Sequence, residues 1–193
     1  MLPPGTGRNT IATASRSAYY RRLVALGAAD FPHVAGMLGP HLLRTAALLD
    51  AWGNRPALCV AGLYHAVYGT DGIHGCLVGP DGRHAIAAII GEESEAIAYR
   101  FGACDRDAFH PRIGTPAMHR FVDRFTHSEY PIDEPALRDF CELTLANEAE
   151  LGASNEAFRV KHRDALAGLA ARMAGLVSAA ALAACASDVS IVR

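Results

Sequence analysis

Two apolar helical segments meet across a very short turn: HLLRTAALLDAW, then GNR, then PALCVAGLYHAV. A connection that short makes the two helices antiparallel neighbours. The second segment is apolar nearly all round, so it belongs at the centre of a helical core. On the first, His41, Thr45, Leu48 and Trp52 share one face by helical spacing. His41 opens the first helix and His65 closes the second. In an antiparallel hairpin those two ends meet, so the two imidazoles can approach each other at one mouth of the bundle. A lone histidine on an apolar helix is ordinarily a packed core residue; two at opposed ends of one hairpin point to a pocket.

The rest of the chain reads as helices around this hairpin. A short helix is expected over Ser17 to Leu26. Asp30 is an N-cap candidate with Pro32 at an early helical position. Gly39 and Pro40 then break the pattern before the hairpin. The Gly- and Asp-rich stretch 69–83 reads as a long loop. HAIAAII and EESEAIAYRF are helical, 105–118 is irregular, and MHRFVDRFTH and the loop SEYPID follow. EPALRDFCELTLANEAEL is a helix, and a long Ala-rich helix runs from about Asn155 to Ala186. There is no internal repeat and no strand set. The expected class is all-α, a compact single-domain bundle over 16–152. Residues 1–15 read as a flexible arm, and 153–193 as a C-terminal helix packing on the same domain.

Charge and composition exclude several classes. The net charge is −2 and there is no basic stripe, so nucleic acid is not an expected partner. The five cysteines, Cys59, Cys76, Cys104, Cys141 and Cys185, form no CxxC pair. They read as small buried hydrophobes rather than a disulfide framework or a zinc ribbon. The opening MLPPGTGRNT lacks the apolar run of a signal peptide. The longest charge-free apolar run, MAGLVSAAALAACA, is too short to span a membrane. The expectation is therefore a cytoplasmic protein acting on a small molecule, with no membrane partner and a homodimer left open.

HLLRTAALLDAWGNRPALCVAGLYHAVYGTD resembles the core hairpin of HD-domain metal-dependent phosphohydrolases, and within them the hydrolase domain of stringent-response (p)ppGpp enzymes. IGEESEAIAYRFGACD is similar to the helix that follows in that domain. Over about residues 34–152 the chain also resembles a group of small uncharacterised bacterial and fungal proteins, through AGLYHAVYGT, the pair Asp105-Arg106 and the pair Ala146-Asn147. The resemblance implies an HD-like bundle with metal ligands at His41, His65 and Asn147. The chain departs from the pattern in three places. The aspartate that follows the second histidine is Ala66, and the late aspartate is Asn147. The acidic pair after the motif falls on Gly69 and Thr70, with Asp71 one place late.

Two histidines and one carboxylate are the minimal set for a non-haem iron centre, and three ligands plus water suit catalytic zinc. The carboxylate candidates are Asp105, Asp71, Glu148 and Glu142. Asp105, at a helix end beside Arg106, is preferred over the others; its plain alternative is a helix-terminal ion pair with Arg106 or Arg112. The candidate metal set is thus His41, His65, Asp105 and Asn147, for iron, manganese or zinc. The candidate catalytic set is His41, His65, Asp105 and Tyr68, with Tyr68 at a pocket rim shaped by Gly69 and Thr70. Asn147 lies four residues beyond Leu143, so it shares the buried face of its helix. His74 and His84 read as surface residues, and His110, His119, His127 and His162 carry no pattern. No P-loop, GxSxG or Cys-His signature is present. The functions in play are a metal-dependent hydrolase, an HD-type non-haem iron oxygenase, and a metal-free protein that binds a ligand or uses the two histidines for acid–base work.

Overall fold

The computed structural model describes residues 13–34, 36–72 and 74–187. The expected flexible arm lies outside them through residue 12, and residues 13–15 open the first helix. The described residues form α1 (Thr13–Ala25), β1 (Pro32–His33), β2 (Gly36–Met37), α2 (Leu38–Ala51) and α3 (Pro56–Tyr64). Next come α4 (Arg83–Ile90), α5 (Glu92–Ala103), α6 (Arg106–Phe109), β3 (Arg120–Asp123) and β4 (Ser128–Pro131). The chain then runs through α7 (Glu134–Ser154), α8 (Glu156–Met173) and α9 (Ala179–Ser187). The architecture is mostly helical, as expected. None of the described helices is long and apolar enough to cross a membrane.

The hairpin of α2 and α3 forms as the short turn requires. Gly53, at φ 83°, takes the left-handed conformation that ends α2. Pro56 then opens α3, where its missing N–H has no partner to lose. Gly62 lets the two helices close, since a Cβ there would collide with the Leu49 side chain. Every residue of α3 from Leu58 to Tyr64 is buried, and the helix packs against α1, α2, α5 and α7. α7 shares the centre. It is buried from Asp139 to Gly152, including Asn147, Glu148 and Glu150. Asp133 caps it by accepting the Ala136 N–H, and Asn155 caps α8 by accepting the Phe158 N–H.

Three segments differ from the sequence reading. Asp30 and Pro32 do not start a helix. Phe31 precedes a proline, which favours extended backbone, and β1 pairs with β2, His33 opposite Gly36. α2 begins at Leu38, with Pro40 tolerated in its first turn. MHRFVDRFTH carries a strand, not a helix: Phe121 and Asp123 alternate inward along β3 with period two. β3 pairs with β4 in register Phe121↔Tyr130. The C-terminal helix is two helices. The buried carboxylate of Glu142 accepts both the backbone N–H and the hydroxyl of Ser178, fixing the break between α8 and α9. Both helices pack on α7. Cys59, Cys104 and Cys141 are buried, and Cys76 is exposed.

A polar network ties the end of the hairpin to α4, α5 and β3. The buried Glu95 accepts the Tyr68 hydroxyl and two bonds from Arg83, each at 2.8 Å. The Arg83 guanidinium lies 3.7 Å over the Tyr99 ring. The Tyr99 hydroxyl donates to Asp123, whose other oxygen accepts the N–H groups of Phe125 and Thr126. Tyr68 is therefore not at a pocket rim. Its side chain is buried and its hydroxyl is committed to Glu95.

Candidate functional site

His41 lies in the first turn of α2 and His65 caps the C-terminus of α3. Both are wholly buried, and their Nε2 atoms face each other at 3.2 Å. The rings meet edge to face. The Asn147 Oδ1 stands 3.1 Å from His41 Nε2. Asn147 and Glu150 are three residues apart on α7 and share a face. Asn147 meets the Nε2 side of the His41 ring, and Glu150 takes its Nδ1.

The far side of each ring is fixed. His65 Nδ1 lies 2.7 Å from the Gly62 carbonyl, which can only accept, so that nitrogen carries a proton. His41 Nδ1 donates to the Glu150 carboxylate, which also accepts from Arg44 and Ser154. Burial pushes the Glu150 carboxyl up. The bonds from His41, Ser154 and Arg44 and the charge of His41 outweigh it and hold the group at about 2. Burial, reinforced by His41, keeps the His65 pKa well below its usual value, so His65 is neutral. With both Nδ1 protons directed outward, the two Nε2 atoms face each other, and that of His41 also faces the amide oxygen. His65 Nε2 and Asn147 Oδ1 are both acceptors, and both stand within reach of His41 Nε2. A cation completes such a cluster, either a proton shared by the rings or a metal ion.

The surrounding residues open outward from this centre. The Asn147 amide donates to Glu148 at 3.1 Å. Burial raises the Glu148 pKa against the opposing charge of Arg106, whose guanidinium is 3.8 Å away. Arg106 lies over Phe101, and Phe101 packs edge-on against His65. Glu148 and Arg106 also line a cleft of about 510 Å³ between the loop at Asp71, α6 and α8. The cleft is thus one residue removed from the histidine pair.

The structure brings together His41, His65 and Asn147, but not Asp105. Asp105 caps α6 by accepting the Ala108 N–H, and no hydrogen bond joins it to either histidine. Asp71 accepts the Arg106 backbone N–H. Glu142 is taken up at the start of α9. Of the four carboxylates singled out in the sequence, only Glu148 adjoins the cluster. Ala66 is buried. Among the described residues no three His, Cys, Asp or Glu side chains form a cage for a metal ion; the third donor here is an amide.

Two members of the site escape sequence reasoning. Glu150 carries a signal, three residues after Asn147 on one face of a helix. His33 carries none, because it sits on the β1–β2 hairpin outside any helical spacing. Its ring stacks on His41 at 4.3 Å, and its Nδ1 is buried with no hydrogen-bond partner. Burial, then the charge of His41, lowers the His33 pKa to about 4.

The Glu150 carboxylate makes a pH-dependent contribution to stability. Its pKa in the folded chain is depressed from 4.5 to about 2, so the contribution is fully present above about pH 4.5 and is lost as pH falls through about 2. Replacing Glu150 by Gln is expected to remove roughly 3 kcal/mol at neutral pH. Urea melts at pH 7, 4 and 2.5 test this. The gap between the two proteins closes across the acid range; a gap undiminished at the lowest pH contradicts the assignment.

A family model described as a domain of unknown function (DUF6817) matches residues 22–106. The match takes in His41 and His65, ends at Arg106, and leaves Asn147 and Glu150 outside. No curated protein and no solved structure matches the chain.

Proposed function

We propose that this protein is a divalent-metal-dependent enzyme of hydrolase type that acts on a small molecule. His41, His65 and Asn147 hold the metal, and the cleft beyond Glu148 and Arg106 receives the substrate. The observation that carries the reading is the convergence of His65 Nε2 and Asn147 Oδ1 on His41 Nε2, at 3.2 and 3.1 Å. Donors that share one ion at about 2.1 Å stand roughly 3.0–3.4 Å apart in octahedral or tetrahedral arrangements. The residues behind them fit the same reading. A carboxylate on His41 Nδ1 and a carbonyl on His65 Nδ1 are the partners that fix ligating imidazoles and raise their basicity. Nitrogen and amide donors suit iron, zinc or manganese.

A metal held there supplies Lewis-acid activation of water and substrate. The chain supplies the rest. Glu150 orients His41, and the Gly62 carbonyl orients His65. Phe101 closes one side of His65. Glu148, whose carboxyl pKa burial raises, stands at the floor of the cleft next to Asn147. The hairpin's resemblance to HD-domain phosphohydrolases supports hydrolytic chemistry.

The test is elemental analysis of protein purified without added metal, followed by calorimetric titration with Mn²⁺, Zn²⁺ and Fe²⁺. About one ion per chain is expected. Uptake of none of the three overturns the metal reading and leaves a proton shared between His41 and His65. Iron accompanied by oxygen consumption moves the chemistry from hydrolysis to oxygenation.

A further inference from the structure

We infer that the cleft contains an oxyanion subsite, built by Arg106, His110 and Arg172, that binds the anionic end of the substrate. This rests on the reading of the cleft as the substrate's place, and it adds the substrate's class: a small molecule with a carboxylate or phosphate group. Three observations carry it.

The first is an excess of unanswered donors. Arg172 lines the cleft from an exposed position, and no side-chain hydrogen bond or ion pair engages it among the described residues. Arg106 has only Glu148, at 3.8 Å, beyond hydrogen-bond reach. His110 lines the same cleft, and its Nε2 is buried with no hydrogen-bond partner. A buried polar atom left unsatisfied costs roughly 1–3 kcal/mol, so it marks a place where a ligand atom belongs.

The second is that the three groups are close enough to feel one another. Burial lowers the His110 pKa to about 4, and the charges of Arg106 and Arg172 both act in the same direction. A neutral imidazole and two guanidinium groups that line one cleft offer it an N–H and two planar donor forks, donor types that suit a carboxylate or phosphate.

The third is that two carboxylates of the cleft are already engaged. Asp71 accepts the Arg106 backbone N–H, and Glu148 accepts the Asn147 amide. Asp107, exposed in the first turn of α6, also lines the cleft. None of the three makes a hydrogen bond with the side chains of Arg172 or His110. The cationic end of the cleft therefore lies open, one residue beyond the proposed metal centre.

The experiment uses the full chain after chelator treatment, so that its result does not depend on the metal reading. Inorganic phosphate and, separately, acetate are titrated while the His110 imidazole resonances are followed, with chloride at matched ionic strength as the control. A saturable shift of His110 with either oxyanion is expected, with affinity at least tenfold weaker in Arg172→Met. Saturation by phosphate alone assigns the subsite to phosphate, and saturation by acetate alone to carboxylate. His110→Phe is the second variant, read by calorimetry, and is expected to weaken binding likewise. A response equal to that of chloride overturns the subsite, as does an oxyanion affinity that Arg172→Met leaves intact. Neither outcome touches metal uptake, which the preceding titration reads on its own.

Discussion

A His65→Ala chain is expected to lose divalent-metal binding altogether within the range calorimetry reads, a fall of more than about 100-fold. Removal of a mere second-layer partner typically costs 10–100-fold, and His65 offers a donor atom itself. Its Nε2 is one of the three atoms proposed to hold the metal, and His41 Nε2 and Asn147 Oδ1 alone would leave an ion largely to water. The substitution also empties a wholly buried site, so a stability cost of roughly 2–4 kcal/mol accompanies it. The two effects separate in one measurement. Binding to the folded state raises the melting temperature by mass action. Wild-type protein therefore melts higher with Mn²⁺ or Zn²⁺ than without, while the variant melts at one lower temperature in both. If metal leaves the wild-type melting temperature unmoved and the variant is merely less stable, His65 is a packed core histidine.

The second large effect concerns folding rather than chemistry. Arg83→Met leaves Glu95 buried at 2% exposure, with the Tyr68 hydroxyl as its one remaining side-chain partner. Removing one member of a buried ion pair costs about 3–5 kcal/mol, because the surviving charge stays away from water. The retained hydroxyl bond places this case near 3 kcal/mol, a fall of roughly 6–12 °C in melting temperature for a chain of this size. The substitution also removes the cation from the face of Tyr99, loosening α4 against α5. Thermal melts of wild type, Arg83→Met and the double variant Arg83→Met/Glu95→Met decide it. The double variant recovers part of the loss, since no buried charge remains. If it is no more stable than the single variant, the cost came from packing rather than from the stranded carboxylate.

The hairpin that organises the protein was legible in the sequence, and so was the meeting of His41 and His65. Both follow from a turn too short to allow any other path and from helix ends that must then coincide. Asn147 was legible for the same reason, since periodicity along one helix assigns a face. Helical class and the buried character of α3 came from apolar patterning, which is local information. The errors arose where local preference and long-range partners compete. MHRFVDRFTH has residues that suit either period, and it became a strand because β4 lay beside it to accept its backbone bonds. The Ala-rich C-terminus has the propensity for one helix; a buried carboxylate on α7 broke it at Ser178. Asp105 looked like a ligand by position and proved to be a cap, which a helix start imposes within three residues.

The contacts that define the site chemically were decided by tertiary structure alone. Glu150 reaches His41 across more than a hundred residues, and His33 arrives from a hairpin with no helical register. Sequence spacing says which residues of one helix share a face. It carries no term for which foreign side chain will meet that face, because that depends on how separate elements pack and on where buried polar atoms find partners. The chain by itself determined that two imidazoles would face each other. Only the packing of α7 against α2 and α3 decided that an amide oxygen would join them.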